Sequence, residues 1–472
     1  MNLIFVLGII LVIAVLSCKA TKRAGLPILV GFIFIGILIG RWFGFADVSY
    51  AERICNFALL LIIFTGGFQT NFAAAKPVLG VSVLLSAVGT VLTAGLAGVF
   101  AYFVLGLEFY EAMLLGAVLS CTDAASVFSI LRSKKLSLKN NLDSALQIES
   151  GSNDPTAYML TVVLISMASG GSQNVPLLLA MQIIVGAAAG FLGAKLGQLI
   201  INKLNLDIEG LYAVLLTGVA FFIYGAAAQF GGNGFLAVYI GGIILGNSPL
   251  IRKRILAGLF GAFSMIAQVA LFIVLGILFV PSTFLAVVLN GLLFALFLFF
   301  VARPIAVFVL MKPFGRSLRE IGLVSWAGFR GASSIVFATY LLSAGLPYGE
   351  YVFSVVFFVC MLSVILQGSL IAPVAKALKV LSPEKRVLKT FTEYTAEIQQ
   401  ELLEVTVPFG SVVCGKAILE LGLPEDLYIL MIRREGRTIA PIQSTVIQEN
   451  DILAIAGGDK EKLLKLHDAI GG

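Results

Sequence analysis

From Asn2 to about residue 376, apolar residues do not alternate with polar ones. They come in long runs separated by short junctions holding glycine, proline and charge. A helix needs about 20 predominantly apolar residues to cross the hydrocarbon core of a bilayer. On that length the runs predict thirteen spans, near 2–18, 26–41, 51–69, 77–105, 111–132, 142–168, 176–203, 208–230, 232–248, 253–280, 283–311, 319–344 and 348–376. The first run lacks a basic leader and a small-residue cleavage site, so it reads as a retained span rather than a signal peptide. Beyond the last run the pattern changes. "LLEVTVP" alternates as a strand, "GKAILELGLP" has the spacing of a short amphipathic helix, and "LYILMIRREGRTIAP" reads as a hairpin turning at Glu435-Gly436. "DILAIAGGDKEKLLKLHDAI" reads as strand then helix, with Gly457-Gly458 as the turn between them. The fold class is therefore a polytopic α-helical membrane protein with a small cytoplasmic α/β domain. Its expected divisions are 1–380 in the membrane, a linker at 381–392 and a tail domain at 393–472.

Composition agrees with lipid as the solvent: 59% of the 472 residues are hydrophobic and 12% are charged, and the mean hydropathy is +1.02. A net charge of +6 does not point to nucleic acid, because the basic excess lies in alternate interhelical junctions. These hold Lys19/Lys22/Arg23, Lys76, Arg132/Lys134/Lys135/Lys139, Lys195/Lys203, Arg252/Lys253/Arg254 and Lys312/Arg316/Arg319, while the intervening junctions carry only Arg41 and Arg53. Cytoplasmic loops are enriched in Lys and Arg, so the N-terminus is expected outside a cell inner or plasma membrane and the tail inside. That requires an odd number of spans. Five scattered cysteines without CxxC spacing suggest neither a disulfide framework nor a metal site. The single histidine, His467, lies in the tail, so proton chemistry within the membrane falls to carboxylates.

Thirteen spans can be two sets of six in opposite orientation joined by a linker, the inverted-repeat plan of many secondary transporters. Span 5 then corresponds to span 12. "SCTDAAS" (120–126) and "GFRGASS" (328–334) interrupt these two apolar runs at matching places, as crossed, broken helices would. The symmetry rests on hydropathy; no residue-level repeat is visible.

Five of the charges that fall within the spans stand out: Asp123, Glu149, Asp154, Arg303 and Arg330. At ~1.5 Å per residue, Asp123, Asp154 and Arg330 fall near the bilayer midplane, and Glu149 and Arg303 share a shallower level. Glu149 and Asn153 stand on one face of span 6 and Asp154 on another, which suggests a Glu149–Arg303 pair braced by Asn153. Three acids against two arginines leave one anion over. An ionised acid in hydrocarbon costs at least ~2.5–3.5 kcal/mol on insertion scales, so Asp154 is expected to be neutralised in turn by a proton and by a small cation. Thr122, Ser150 and freed backbone carbonyls would supply further oxygen ligands. A purely structural role for the charges is the alternative, and it suits Glu149 and Arg303 best.

These stretches, "TDAASVFSILR" (122–132), "ESGSNDP" (149–155), "ARP" (302–304) and "GFRGA" (328–332), resemble the monovalent cation/proton antiporter family 1, the group of bacterial NhaP-type and animal sodium/proton exchangers. The resemblance implies that Asp154 is the ion- and proton-binding carboxylate, with Thr122, Asp123 and Ser150 completing the site. Glu149, Asn153 and Arg303, together with Arg330, form a supporting network. It further implies a homodimer, K+ or Na+ and H+ as substrates, no cofactor, and electroneutral one-for-one exchange. In span 3, where many relatives carry an acid before a Gly-Gly pair, this chain has Thr65 in "FTGGFQT", which removes an acidic cation entrance there.

From about Glu393 onward the tail resembles the TrkA C-terminal domain, the C-terminal half of the regulator of potassium conductance module. In relatives this domain dimerises and binds small regulators such as cyclic di-AMP, and its association with potassium systems favours K+. No GxGxxG precedes it, so NAD or ATP binding is not expected. The rivals are a potassium channel regulated by the same tail, which would want a TVGYG-type filter that is absent, and an intramembrane protease, which would want a serine beside a histidine or a GxGD motif.

Overall fold

The computed structural model describes residues 3–23, 27–43, 47–123, 127–128, 130–131, 136–171, 174–204, 206, 208–382, 401–408, 410–411, 413–421, 423, 427–434 and 437–457. The chain forms two units, Met1–Thr390 and Phe391–Gly472.

The first unit is helical. Its elements are α1 (Leu3–Arg23), α2 (Ile28–Phe43), α3 (Val48–Gln69), α4 (Lys76–Val104), α5 (Phe109–Val118), α6 (Leu142–Ala168) and α7 (Val175–Lys203). There follow α8 (Glu209–Gln229), α9 (Gly234–Asn247), α10 (Lys253–Ile277), and α11, which runs from Pro281–Phe297 through a wide turn at Leu298–Ala302 into Arg303–Met311. The last are α12 (Leu318–Trp326), α13 (Ala332–Ser343) and α14 (Gly349–Ala377). Each predicted run contains helix. Among the described residues, seven helices are long and apolar enough to cross a bilayer. The 27-residue α6 is not one of them, because the polar stretch from Glu149 to Asp154 lies in its middle.

Two of the predicted runs are interrupted, and these interruptions position the site. α5 ends at Val118 and the chain is non-helical from Leu119 to Asp123. α12 ends at Trp326, and α13 begins only at Ala332. Elsewhere helices approach until backbones touch, because lipid supplies no hydrophobic force between them and contact must come from small residues. A side-chain carbon at Gly36 or Gly276 would overlap the facing backbone of α10 or α2, and Gly242 meets Phe64 and Phe68 of α3 in the same way.

At the end where α14 finishes, backbone bonds tie its exit to the loop before α6: Lys139 N to Val380 O and Ser382 N to Ser137 O, both at 2.9 Å. The start of α12 is closed by a capping box in which Ser317 and Glu320 bond each other reciprocally. Asn140 Nδ2 also donates to Glu320, at 2.8 Å.

The second unit holds an antiparallel sheet of β1 (Glu401–Thr406), β2 (Leu427–Arg434), β3 (Arg437–Ile439) and β4 (Ile452–Gly457), in the order β1-β4-β2-β3. Val405, Val407, Ile432, Ile447, Leu453 and Ile455 form its core. β2 and β3 pair as the predicted hairpin, Arg434 opposite Arg437. Two expectations are corrected. "GKAILELGLP" yields only a short 3-10 turn at Ile418–Leu421, too brief for an amphipathic helix. Gly457 is no turn residue but the end of β4, opposite both Glu401 and Leu427. Gly458, the turn residues 435–436 and the predicted last helix lie outside the described residues.

Candidate functional site

The two interruptions cross. Asp123 N donates to Phe329 O at 2.8 Å, joining the broken run after α5 to the break between α12 and α13. Broken helices inside a membrane leave backbone carbonyls that only protein can satisfy. Arg330, fully buried, does so: its Nη1 donates to Ser120 O at 2.7 Å and to Cys121 O at 2.6 Å. A cation at the carbonyl end of α5 also opposes the negative end of that helix's dipole. The Arg330 backbone is in turn anchored on α14, its N–H donating to Ser363 Oγ at 2.8 Å, and Ser363 Oγ to Gln367 Oε1 at 2.5 Å.

α6 closes one side of the crossing. Ser150 Oγ donates to Thr122 O at 2.8 Å, and Asn153 Nδ2 donates to Thr122 Oγ1 at 2.7 Å while its Oδ1 accepts from Thr122 N at 3.3 Å. Asn153, expected to brace the Glu149–Arg303 pair, instead clamps Thr122 from both sides, because the extended backbone at 121–123 leaves donors and an acceptor that a helix would have satisfied internally. Thr122, Asp123, Ser150, Asn153 and Asp154 thus share one locus.

Asp154 is 7% exposed. Ser333 Oγ, in the first turn of α13, donates to its Oδ2 at 2.9 Å. Its Oδ1 is buried and has no hydrogen-bond partner, and no lysine or arginine pairs with it among the described residues. The Asp123 side chain lies against Gly331, where any side-chain carbon would overlap it. Gly328 serves Arg303 in the same way, with a β-carbon there falling 2.8 Å from its Nε. The two glycines of "GFRGA" are thereby explained as space for two charged side chains. Ser333 was not singled out from sequence, although it stands in the "GFRGASS" stretch; nothing in one dimension says which helix it faces.

Glu149 and Arg303 form a separate, sealed ion pair. Arg303 Nη2 lies 2.5 Å from Glu149 Oε1, with side chains 3% and 1% exposed; it is a charge contact rather than an aligned hydrogen bond. Arg303 Nη2 also reaches Val324 O, at 3.5 Å. One turn beyond Asp154, Tyr158 packs against Phe235, Phe337 and Tyr340 with ring centres 5.1–6.0 Å apart. The Tyr340 hydroxyl bonds to Asn56 Oδ1 of α3. Thr65 is buried and satisfied by backbone, its Oγ1 donating to Leu61 O at 2.7 Å.

Residues 8–377 match the family model described as sodium/hydrogen exchanger, transmembrane, and residues 402–468 match the TrkA-C domain. The chain is 32% identical over 471 residues to the K(+)/H(+) antiporter NhaP2 of Shewanella sp. (strain ANA-3), covering 97% of this chain and 82% of that protein. It is 32% identical over 463 residues to the K(+)/H(+) antiporter NhaP of Alkalimonas amylolytica, covering 96% and 80%. It is 25% identical over 432 residues to the Na(+)/H(+) antiporter NhaS2 of Synechocystis sp. (strain ATCC 27184 / PCC 6803 / Kazusa), covering 89% and 77%. In fold it is similar to the sodium proton antiporter MjNhaP1 from Methanocaldococcus jannaschii, with a TM-score of 0.71 at 23% identity over 79% of this chain and 98% of that one.

Proposed function

We propose, on the premise that this chain belongs to the sodium/hydrogen exchanger transmembrane family, that it exchanges K+ for H+ by alternating access at Asp154. One observation carries the reading: a buried carboxylate at the crossing of two broken helices keeps one oxygen without a hydrogen-bond partner, and no lysine or arginine pairs with it among the described residues. A bare charge there is disfavoured, so the carboxylate is occupied by a proton or by a monovalent cation, each displacing the other. Oxygens of Thr122, Ser150 and Asp123, gathered at the same crossing, suit a hard cation. Ser333 and the amino end of α13 favour the ionised form while the cation is bound.

What supports K+ over Na+ is the company the sequence keeps: the relatives at 32% identity are named for K+ and the one at 25% for Na+. Asn153, a neutral residue spent on Thr122, leaves one ion-binding acid in the Asn153-Asp154 pair, which supports electroneutral one-for-one exchange. The alternation of basic junctions supports an inside location for the tail, where its TrkA-C domain regulates exchange.

The test is proton efflux from acidified everted vesicles on addition of K+ or Na+. Wild type responds to K+ and Asp154→Asn does not. An undiminished response in the variant rejects the site. A rate that changes with an imposed membrane potential rejects electroneutrality.

A further inference from the structure

An apolar groove of about 470 Å³ opens between α11 and α12, lined by Phe299, Phe300, Ile305, Phe308, Ile321 and Trp326 with their neighbours. Its volume falls within the ~300–1,000 Å³ of small-molecule sites. Around it the surface is apolar as well: Phe300, Ile305, Phe308 and Leu318 are all exposed. On helices that face hydrocarbon, the molecule that fills such a groove is an acyl chain.

The rim of the groove gives that chain a headgroup. Lys312 stands four residues after Phe308 and seven after Ile305, so it continues the lining stripe of α11 beyond the end of that helix. Arg319 stands three residues before Gly322 and seven before Trp326, both lining residues, and so begins the lining stripe of α12. Each wall therefore ends in an exposed cation on the same side of the bundle. Neither side chain has an ion pair or hydrogen bond among the described residues. The nearby acid Glu320 does not neutralise them, being held by Ser317, Asn140 and Arg316.

We propose that this groove binds an anionic phospholipid, one acyl chain lying between α11 and α12 and the phosphate held by Lys312 and Arg319. The walls of the groove lead to the ion site. Trp326 Nε1 donates to Gln367 O at 3.3 Å and Gln367 Nε2 donates back to Trp326 O at 3.1 Å. Gln367 is also the acceptor for Ser363, which anchors the Arg330 amide. On the other wall Pro304 follows Arg303, the partner of Glu149. A filled groove braces the break between α12 and α13, and the bilayer's anionic lipid content becomes a determinant of exchange rate.

The experiment reads binding by mass and so stands independently of the ion-exchange reading. The full chain, purified in detergent, is titrated with phosphatidylglycerol or phosphatidylcholine and observed by native mass spectrometry, beside a variant carrying Lys312→Gln and Arg319→Gln. Wild type retains one phosphatidylglycerol in preference to phosphatidylcholine. The variant, lacking two surface cations, retains it roughly 30-fold less tightly (about 2 kcal/mol). A phosphatidylglycerol with a photoreactive acyl chain labels peptides covering 299–308 and 318–326. Equal retention of the two lipids, which means an adventitious lipid only, overturns the proposal, as does equal retention by the variant or labelling concentrated on other helices.

Discussion

Arg303 Nη2 meets Glu149 Oε1 at 2.5 Å with both side chains shut away from solvent. Breaking a buried pair by removing one partner leaves an uncompensated charge and costs about 3–5 kcal/mol, whereas replacing both with apolar groups of similar volume is often nearly neutral. Glu149→Gln is therefore expected to lower the thermal unfolding temperature of the purified protein sharply, and Glu149→Leu with Arg303→Met to recover most of the loss. A single variant that melts with wild type would mean the pair contributes nothing.

Ser333 donates to Asp154 at 2.9 Å. A hydrogen bond to a charged group contributes about 1.5–3 kcal/mol, and under the proposed exchange it supports the ionised carboxylate. Ser333→Ala is expected to raise the K+ concentration for half-maximal exchange roughly tenfold or more while leaving unfolding temperature nearly unchanged. An unaltered K+ dependence would detach Ser333 from the site.

The glycines at 328 and 331 predict different failures. Gly331→Ala pushes on the Asp123 carboxylate and should cut exchange in protein that still folds. Gly328→Ala pushes on Arg303 and should first lower stability, through the Glu149 pair. Activity and melting temperature measured on both variants separate the two; identical losses would contradict the distinction.

Tyr340 of α13 bonds Asn56 of α3, linking the crossed-helix region to a neighbouring helix. Any sliding of α13 past α3 must break this bond, whose net contribution is about 0.5–1.5 kcal/mol. Tyr340→Phe is expected to raise turnover roughly two- to tenfold, measured as initial exchange rate at saturating K+. A rate at or below wild type would exclude the bond as a latch.

In the tail, Asp451 is fully buried and its carboxylate takes two bonds from Arg434, at 2.8 and 2.7 Å, and one from Gln448 N at 2.8 Å. Burial pushes this carboxyl up, but the Arg434 and Gln448 bonds and the guanidinium charge outweigh it and hold the group below the ordinary aspartate range. The unfolded chain then binds the proton more readily, so this contribution is complete above about pH 4 and is lost as pH falls through the lower folded value. The protection factors of β4 amides in the full chain, taken against the intrinsic exchange rate at each pH, should fall below about pH 4, and Arg434→Gln should lower them at neutral pH as well, by removing about 1.5–3 kcal/mol. Protection factors that ignore both changes would show that the pair does not hold the sheet.

Much of the architecture was legible in one dimension because lipid is an exacting solvent. Runs of apolar residues had to be helices, and "SCTDAAS" and "GFRGASS" stood at matching places in two of them, where the chain does break after Val118 and between Trp326 and Ala332. The alternation in "LLEVTVP" and the hairpin in the tail were equally plain. Asp154 stood out because an acid at mid-membrane demands a reason.

Tertiary structure decided the partners. Periodicity gives the depth of a side chain and its face on the helix, but not which neighbour that face meets, and this is why Asn153 was expected beside Glu149 and is found on Thr122. For the same reason Ser333 on Asp154 and the carbonyls of Ser120 and Cys121 under Arg330 could not be read from spacing. The place of β4 between β1 and β2 is likewise a matter of packing, because alternation marks a strand without naming its neighbours. The amino-acid order by itself determined that charges would lie buried in the membrane; only the crossing of two broken helices determined which of them is paired and which keeps an oxygen without a hydrogen-bond partner.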